Sequence, residues 1–126
     1  MKIINKTKNS VLAENIIFRR SFFELMSGLI PYKIKNRYLY DIFKTHKFNK
    51  KDAMVFKVRY YEAIHTLFMS FSISIVLTDR NLRVIEKSRM KPFTFYIPKK
   101  SYSYLIEMIG SKFSKVDIGD ELLFIH

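Results

Sequence analysis

Three histidines are the residues of this chain best suited to acid/base or metal chemistry: His46, His65 and His126. They lie far apart, and no His-x-x-x-His or similar spacing links them, so no metal site is expected. Only His65 has an apolar setting, in the run Ile64–His65–Thr66–Leu67–Phe68–Met69. An imidazole there can serve as a base or as a hydrogen-bond anchor in an apolar pocket. Thr66, Met69 and the Gly28 end of an expected helix are the candidate partners of His65 around a small cleft. The other reactive types are poorly placed. Ser70, Ser72, Ser74 and Ser88 have no nucleophile-elbow context, and Gly28, Gly110 and Gly119 are too scattered for a phosphate loop. Asp117, Asp120 and Glu121 cluster, but Gly119–Asp120 reads as a turn. Glu107 interrupts an apolar strand opposite Tyr104, Ile106 and Met108, which reads as solvent-facing alternation. The absence of cysteine excludes thiolate ligands, disulfides and cysteine nucleophiles. No cofactor is expected.

Charge points to a second chemistry. The formal net charge is +12. Residues 1–63 hold 14 Lys/Arg against 5 Asp/Glu, a surplus of 9, whereas residues 64–126 hold 9 against 6, a surplus of 3. The interval 32–52 mixes Tyr32, Tyr38, Tyr40, Phe43 and Phe48 with cations that include Lys33, Lys35, Arg37, Lys44, Lys47, Lys50 and Lys51. Cations on phosphates with rings under bases make a single-stranded nucleic-acid platform. The plainer reading is a solvated hairpin or loop, and compositional lysine enrichment accounts for the charge. Weak, non-specific nucleic-acid binding through Lys44, Lys47, Lys50 and Lys51 is the expectation of the alternative reading.

These residues need elements to position them. Segments 1–5 and 11–15 read as short strands around a 6–10 turn, the first an edge strand. From Ile16 the apolar residues Ile17, Phe18, Phe22, Leu25, Met26 and Leu29 fall at helical spacing, with Asn15 as N-cap and Gly28 and Pro31 as terminators. The spacing predicts a helix over 16–27. Segment 53–58 reads as a buried strand. Residues 71–77 alternate, one face apolar and the other bearing hydroxyls, and return through a 78–81 turn as 82–87. Segments 94–97, 101–108 and 121–125 complete a sheet meander, with 113–118 as a turn or single helical turn.

The run 64–69, followed by Ile73–Ser74–Ile75–Val76–Leu77–Thr78–Asp79, resembles domain of unknown function 192, in its archaeal Ile-His-Thr-x-Phe-Met form. Ala13 with Gly28–Leu29–Ile30, then Leu105 to Gly110 and Gly119–Asp120, resemble further pieces of that family in the same order. The resemblance spans roughly residues 11–124. Ser74 stands where the family usually has Asp, and Ile30 where it has Met. What the resemblance implies is a compact, mainly β domain with one N-terminal helix and no established activity.

The fold expected is therefore a single α+β domain over 1–126, a mostly antiparallel curved sheet or half-barrel with helix 16–27 packed on it. Its function is expected to be that of a non-catalytic binding module for a small ligand or a protein partner, with an apolar cleft near His65. The alternatives are nucleic-acid binding through 33–51 and a small hydrolase or isomerase using His65 as base. The N-terminus has no apolar core of a signal peptide, and the longest low-charge run, 63–78, is short of a membrane span, so a cytoplasmic protein without membrane insertion is expected.

Overall fold

The computed structural model describes residues 1–19, 50–57, 64–65, 72–91 and 94–126. Ten strands run through them: β1 (Lys2–Asn5), β2 (Ser10–Ala13), β3 (Asn15–Arg19), β4 (Asp52–Lys57), β5 (Ile64–His65), β6 (Ile73–Thr78), β7 (Val84–Met90), β8 (Phe95–Tyr96), β9 (Tyr104–Ile109) and β10 (Leu122–Ile125). A six-residue 3-10 helix, Gly110–Lys115, follows β9. The strands form a three-stranded sheet in the order β10-β1-β2, a five-stranded sheet in the order β3-β4-β9-β6-β7, and a two-stranded ribbon of β5 with β8. The expected α+β class is thus corrected: among the described residues the architecture is β-rich, with no α-helix packed on a sheet.

The expected helix is where the reading fails. Asn15–Arg19 is an edge strand parallel to β4, with Ile17 opposite Met54 and Phe18 opposite Val55. Asn15 caps no helix; its Nδ2 donates to Asp52 Oδ1 at 3.1 Å. The physical reason is the run Ile16–Ile17–Phe18, rich in strand formers. Ile16 and Ile17 pack against different cores, one on each side of the sheet. A strand covered on both faces loses alternation, and its apolar run then imitates the start of a helical stripe. Residues 20–27 of the expected helix lie outside the described residues.

The hairpins come out as read. β1 and β2 pair antiparallel around Lys6–Asn9, although β1 is the centre of its sheet and not an edge. β6 and β7 pair from Ile73↔Met90 to Thr78↔Val84, with a register shift at Leu77/Thr78. Asp79 shapes the connecting turn: its Oδ1 accepts from the backbone N–H groups of Asn81 and Arg83 at 2.9 and 3.0 Å. The hydroxyl-bearing side of β6 is not a solvent face, because every residue of Ile73–Thr78 is buried.

Two cores result, one on each face of the five-stranded sheet. Ala53, Val55, Val76, Ile106 and Met108 meet Ile3, Leu12, Ala13 and Leu122, which fills the space between the two larger sheets. Met54, Phe56, Ile73, Ile75, Leu77, Met90 and Leu105 form the opposite face, joined by Tyr102.

Candidate functional site

The most unusual side chain is Glu107, at the middle of β9, the central strand of the five. Its register partners are Met54 on β4 and Ile75 on β6. Leu105, two residues away on the same strand face, belongs to the same core, and Ile109 packs against it. The carboxyl therefore stands in the second core's face and not in water. Glu107 is 2% exposed, and its Oε1 has no hydrogen-bond partner among the described residues. Burial alone pushes its pKa from the usual 4.5 up to about 8. At neutral pH the group is a neutral carboxylic acid, able to donate as well as accept. The solvent-facing reading of Glu107 is corrected. The signal was present: both neighbours at i±2, Leu105 and Ile109, are apolar, which a water-facing strand side would not show.

Ser74 is the counterpart on the other face of the sheet. It is opposite Met108 on β9 and Arg89 on β7. Fully buried, its Oγ also lacks a partner among the described residues. A buried polar atom left unpaired is uncommon enough to need a reason.

The ribbon carrying His65 is tied to the Glu107 side of the sheet. His65 pairs with Phe95, and Ile64 with Tyr96. Tyr96 packs against the Met54–Leu105 core, and its hydroxyl donates to Glu86 Oε2 on β7. The same carboxylate accepts from the Lys99 backbone N–H, at 3.0 Å to Oε1 and 3.1 Å to Oε2. Glu86, nearly buried, thus pins β8 to the edge strand. His65 is placed here by its register position alone. Thr66, Met69 and Gly28, its expected partners, lie outside the described residues, as do Lys44 and Lys47. Of the proposed phosphate contacts, Lys50 and Lys51 sit exposed in the turn before β4, where Lys51 Nζ is 3.7 Å from Glu14 Oε2.

The C-terminal acids form a turn, built more thoroughly than its sequence shows. Asp120 is buried, and its Oδ2 accepts from Asn5 Nδ2 at 2.7 Å and from the Asp117 N–H at 2.9 Å. Lys8 Nζ lies 2.6 Å from Asp117 and 3.7 Å from Asp120. Burial works to raise the Asp120 pKa, but the Asn5 and Asp117 donors and the Lys8 charge bring it below the usual carboxylate value. The hydrogen bond and charge of Lys8 likewise lower Asp117. Lys87 closes the cluster, donating to the carbonyls of Phe113 and Val116 at 3.1 and 2.7 Å and lying 4.1 Å over the Phe113 ring. Every charge here has a structural partner. Among the described residues no group of three His, Asp or Glu could hold a metal ion.

The chain is 30% identical over 122 residues to a UPF0127 protein of Thermococcus sibiricus, covering 95% of this chain and 72% of that one. It is also 30% identical over 122 residues to a UPF0127 protein of Pyrococcus horikoshii, covering 95% and 96%. The chain belongs to the UPF0127 family. No family model matches it. A crystal structure of a protein of unknown function from Novosphingobium aromaticivorans shares the fold at a TM-score of 0.70, with 14% identity over 98% of this chain and 82% of that one. The UPF0127 name carries no activity, so the function rests on the site. No helix among the described residues is long and apolar enough to cross a membrane.

Proposed function

We propose that this UPF0127 protein is a non-catalytic binding module. Its small ligand meets the Glu107 face of the five-stranded sheet, beside the ribbon that bears His65. The supporting observation is the orphaned Oε1 of Glu107 amid Met54, Ile75 and Leu105. Small-molecule sites are mostly apolar with a few convergent polar groups, and strongly shifted carboxyls concentrate at functional positions. A neutral carboxylic acid in such a face suits a ligand that is apolar over most of its surface and offers a basic nitrogen or an amide. We also read the UPF0127 relatives and the domain of unknown function 192 pattern as one lineage. Support comes from the matched 122 residues, which take in the Ile64 to Met69 run that carries the resemblance.

The test is a screen of small amines and amides by methyl NMR on the intact chain. The expected result is a fragment that shifts the Met54, Ile75 and Leu105 signals and binds at least about tenfold more weakly to Glu107→Leu, the loss of its hydrogen bond to the buried carboxyl. A library that leaves those methyls unmoved, or binds both proteins alike, would sink the reading.

A further inference from the structure

A second surface stands apart from Glu107. From Phe95 to Pro98 the chain alternates between core and solvent. Tyr96 and Pro98 turn inward, whereas Phe95 is 67% and Ile97 70% exposed. The inward side is held rigidly, through the Tyr96 hydroxyl and the Lys99 N–H on Glu86. The outward side is therefore presented in a fixed orientation. Lys99 and Lys100, two and three residues beyond Ile97, are exposed, in a chain whose net charge is already +12.

We propose that this outward face, Phe95 and Ile97 followed in the chain by the exposed Lys99 and Lys100, docks the protein peripherally on an anionic membrane surface. Each component matches a layer of the interface. A ring and a branched aliphatic chain enter the boundary between headgroups and acyl chains, and lysines reach the anionic headgroups with their stems along apolar surface. Nucleic acid fits less well, because a base can stack on Phe95 but not on Ile97. The short rigid ribbon enters only the interfacial layer, so the surface works without any segment that crosses the bilayer. This reading stands independently of Glu107, since neither Phe95 nor Ile97 belongs to the core that surrounds it.

The experiment is sedimentation of the full chain with vesicles of phosphatidylcholine alone and of phosphatidylcholine mixed with phosphatidylglycerol. The protein is expected to sediment with the mixed vesicles and to be released by high salt. Lys99→Gln combined with Lys100→Gln should lower partitioning about 30-fold, roughly fivefold for each charge near the surface. Phe95→Ser combined with Ile97→Ser should lower it by at least about tenfold through lost apolar burial. A melt of the serine variant checks that it stays folded, as the high exposure of both side chains leads us to expect. Failure to sediment with anionic vesicles, or equal sedimentation with neutral ones, would overturn the proposal. Undiminished binding of the serine variant would overturn it as well, by reducing the surface to bare positive charge. Capture of an acidic apolar peptide by a chain that ignores both vesicles would reassign the face to a protein partner.

Discussion

Asp120 and Glu107 are both buried acids, and the structure treats them in opposite ways. Asp120 receives two hydrogen bonds on one oxygen and has Lys8 at 3.7 Å. Glu107 faces methyl and methylene groups, with Oε1 unpaired among the described residues. The donors outweigh burial at Asp120 and hold it ionised; burial alone acts at Glu107 and keeps it protonated. Burial of an acid therefore does not identify a functional group. What separates the two is whether neighbours have been supplied to satisfy it. The C-terminal turn is a finished joint that fastens β1 to the end of the chain. The centre of β9 carries a group that the fold leaves unsatisfied.

The largest expected effect follows from that contrast. Below pH 4.5 Glu107 is protonated in both folded and unfolded chains. As pH rises, the unfolded chain releases this proton, while the folded chain keeps it until about pH 8. Its contribution to stability is fully present below the unfolded pKa and is lost across the window up to the folded one, at about 1.4 kcal/mol per pH unit and on the order of 4–5 kcal/mol in all. Glu107→Met removes the ionisable group and retains the bulk. Urea midpoints at pH 4.5 and pH 8 should converge for this variant and diverge for the wild type, leaving the variant several kcal/mol more stable, roughly that same span, at the higher pH. A wild-type profile that stays flat over this window would mean that Glu107 is not an orphan.

Asp120→Ala should act with the opposite sign. It leaves Asn5 Nδ2 and the Asp117 N–H without their acceptor and should cost about 1–3 kcal/mol. A denaturant melt at pH 6 measures this. The folded pKa of Asp120 is depressed, so its stabilisation is present above the unfolded value and is lost as pH falls through the folded one. The acid limb of the wild-type profile should therefore shrink in Asp120→Ala, and an unchanged limb would break the comparison from its other side.

The difference in legibility between the two regions has a physical basis. Turn chemistry is local, so Gly119–Asp120 and the Thr78–Asn81 connection could be read from a few residues; Gly119 does adopt a positive φ of 94°. Most strands and the β6–β7 hairpin were legible for the same reason. Coverage of both sheet faces is a long-range fact. It set Ile16 and Ile17 against opposite cores in a strand where spacing pointed to a helix, and it turned Glu107 inward where alternation pointed to water. Binary alternation assumes one wet face, and the central strands of this sheet have none. His65 drew attention through its apolar neighbours in sequence, but its ribbon position came from pairing with Phe95, thirty residues away.

Ser74→Ala should give the smallest effect, and it separates an orphan by function from an orphan by accident. Ser74 Oγ is as unpartnered as Glu107 Oε1. It lies, however, on the face that the three-stranded sheet covers, in register with Met108 beside the core formed by Ile106, Val76 and Leu122. Removing a hydroxyl that makes no bond relieves its desolvation penalty and leaves a gap the size of one oxygen atom. These terms nearly cancel, so the variant should match the wild type or gain up to about 1 kcal/mol, with no dependence on pH. The same denaturant melts at pH 4.5 and pH 8 measure it. A loss above roughly 1 kcal/mol would show that the hydroxyl has a partner in solution, and Ser74 would then join Asp120 among the satisfied groups. A neutral result would leave Glu107 as the orphan whose retention calls for a ligand, because a hydroxyl is cheap to bury and an acid is not.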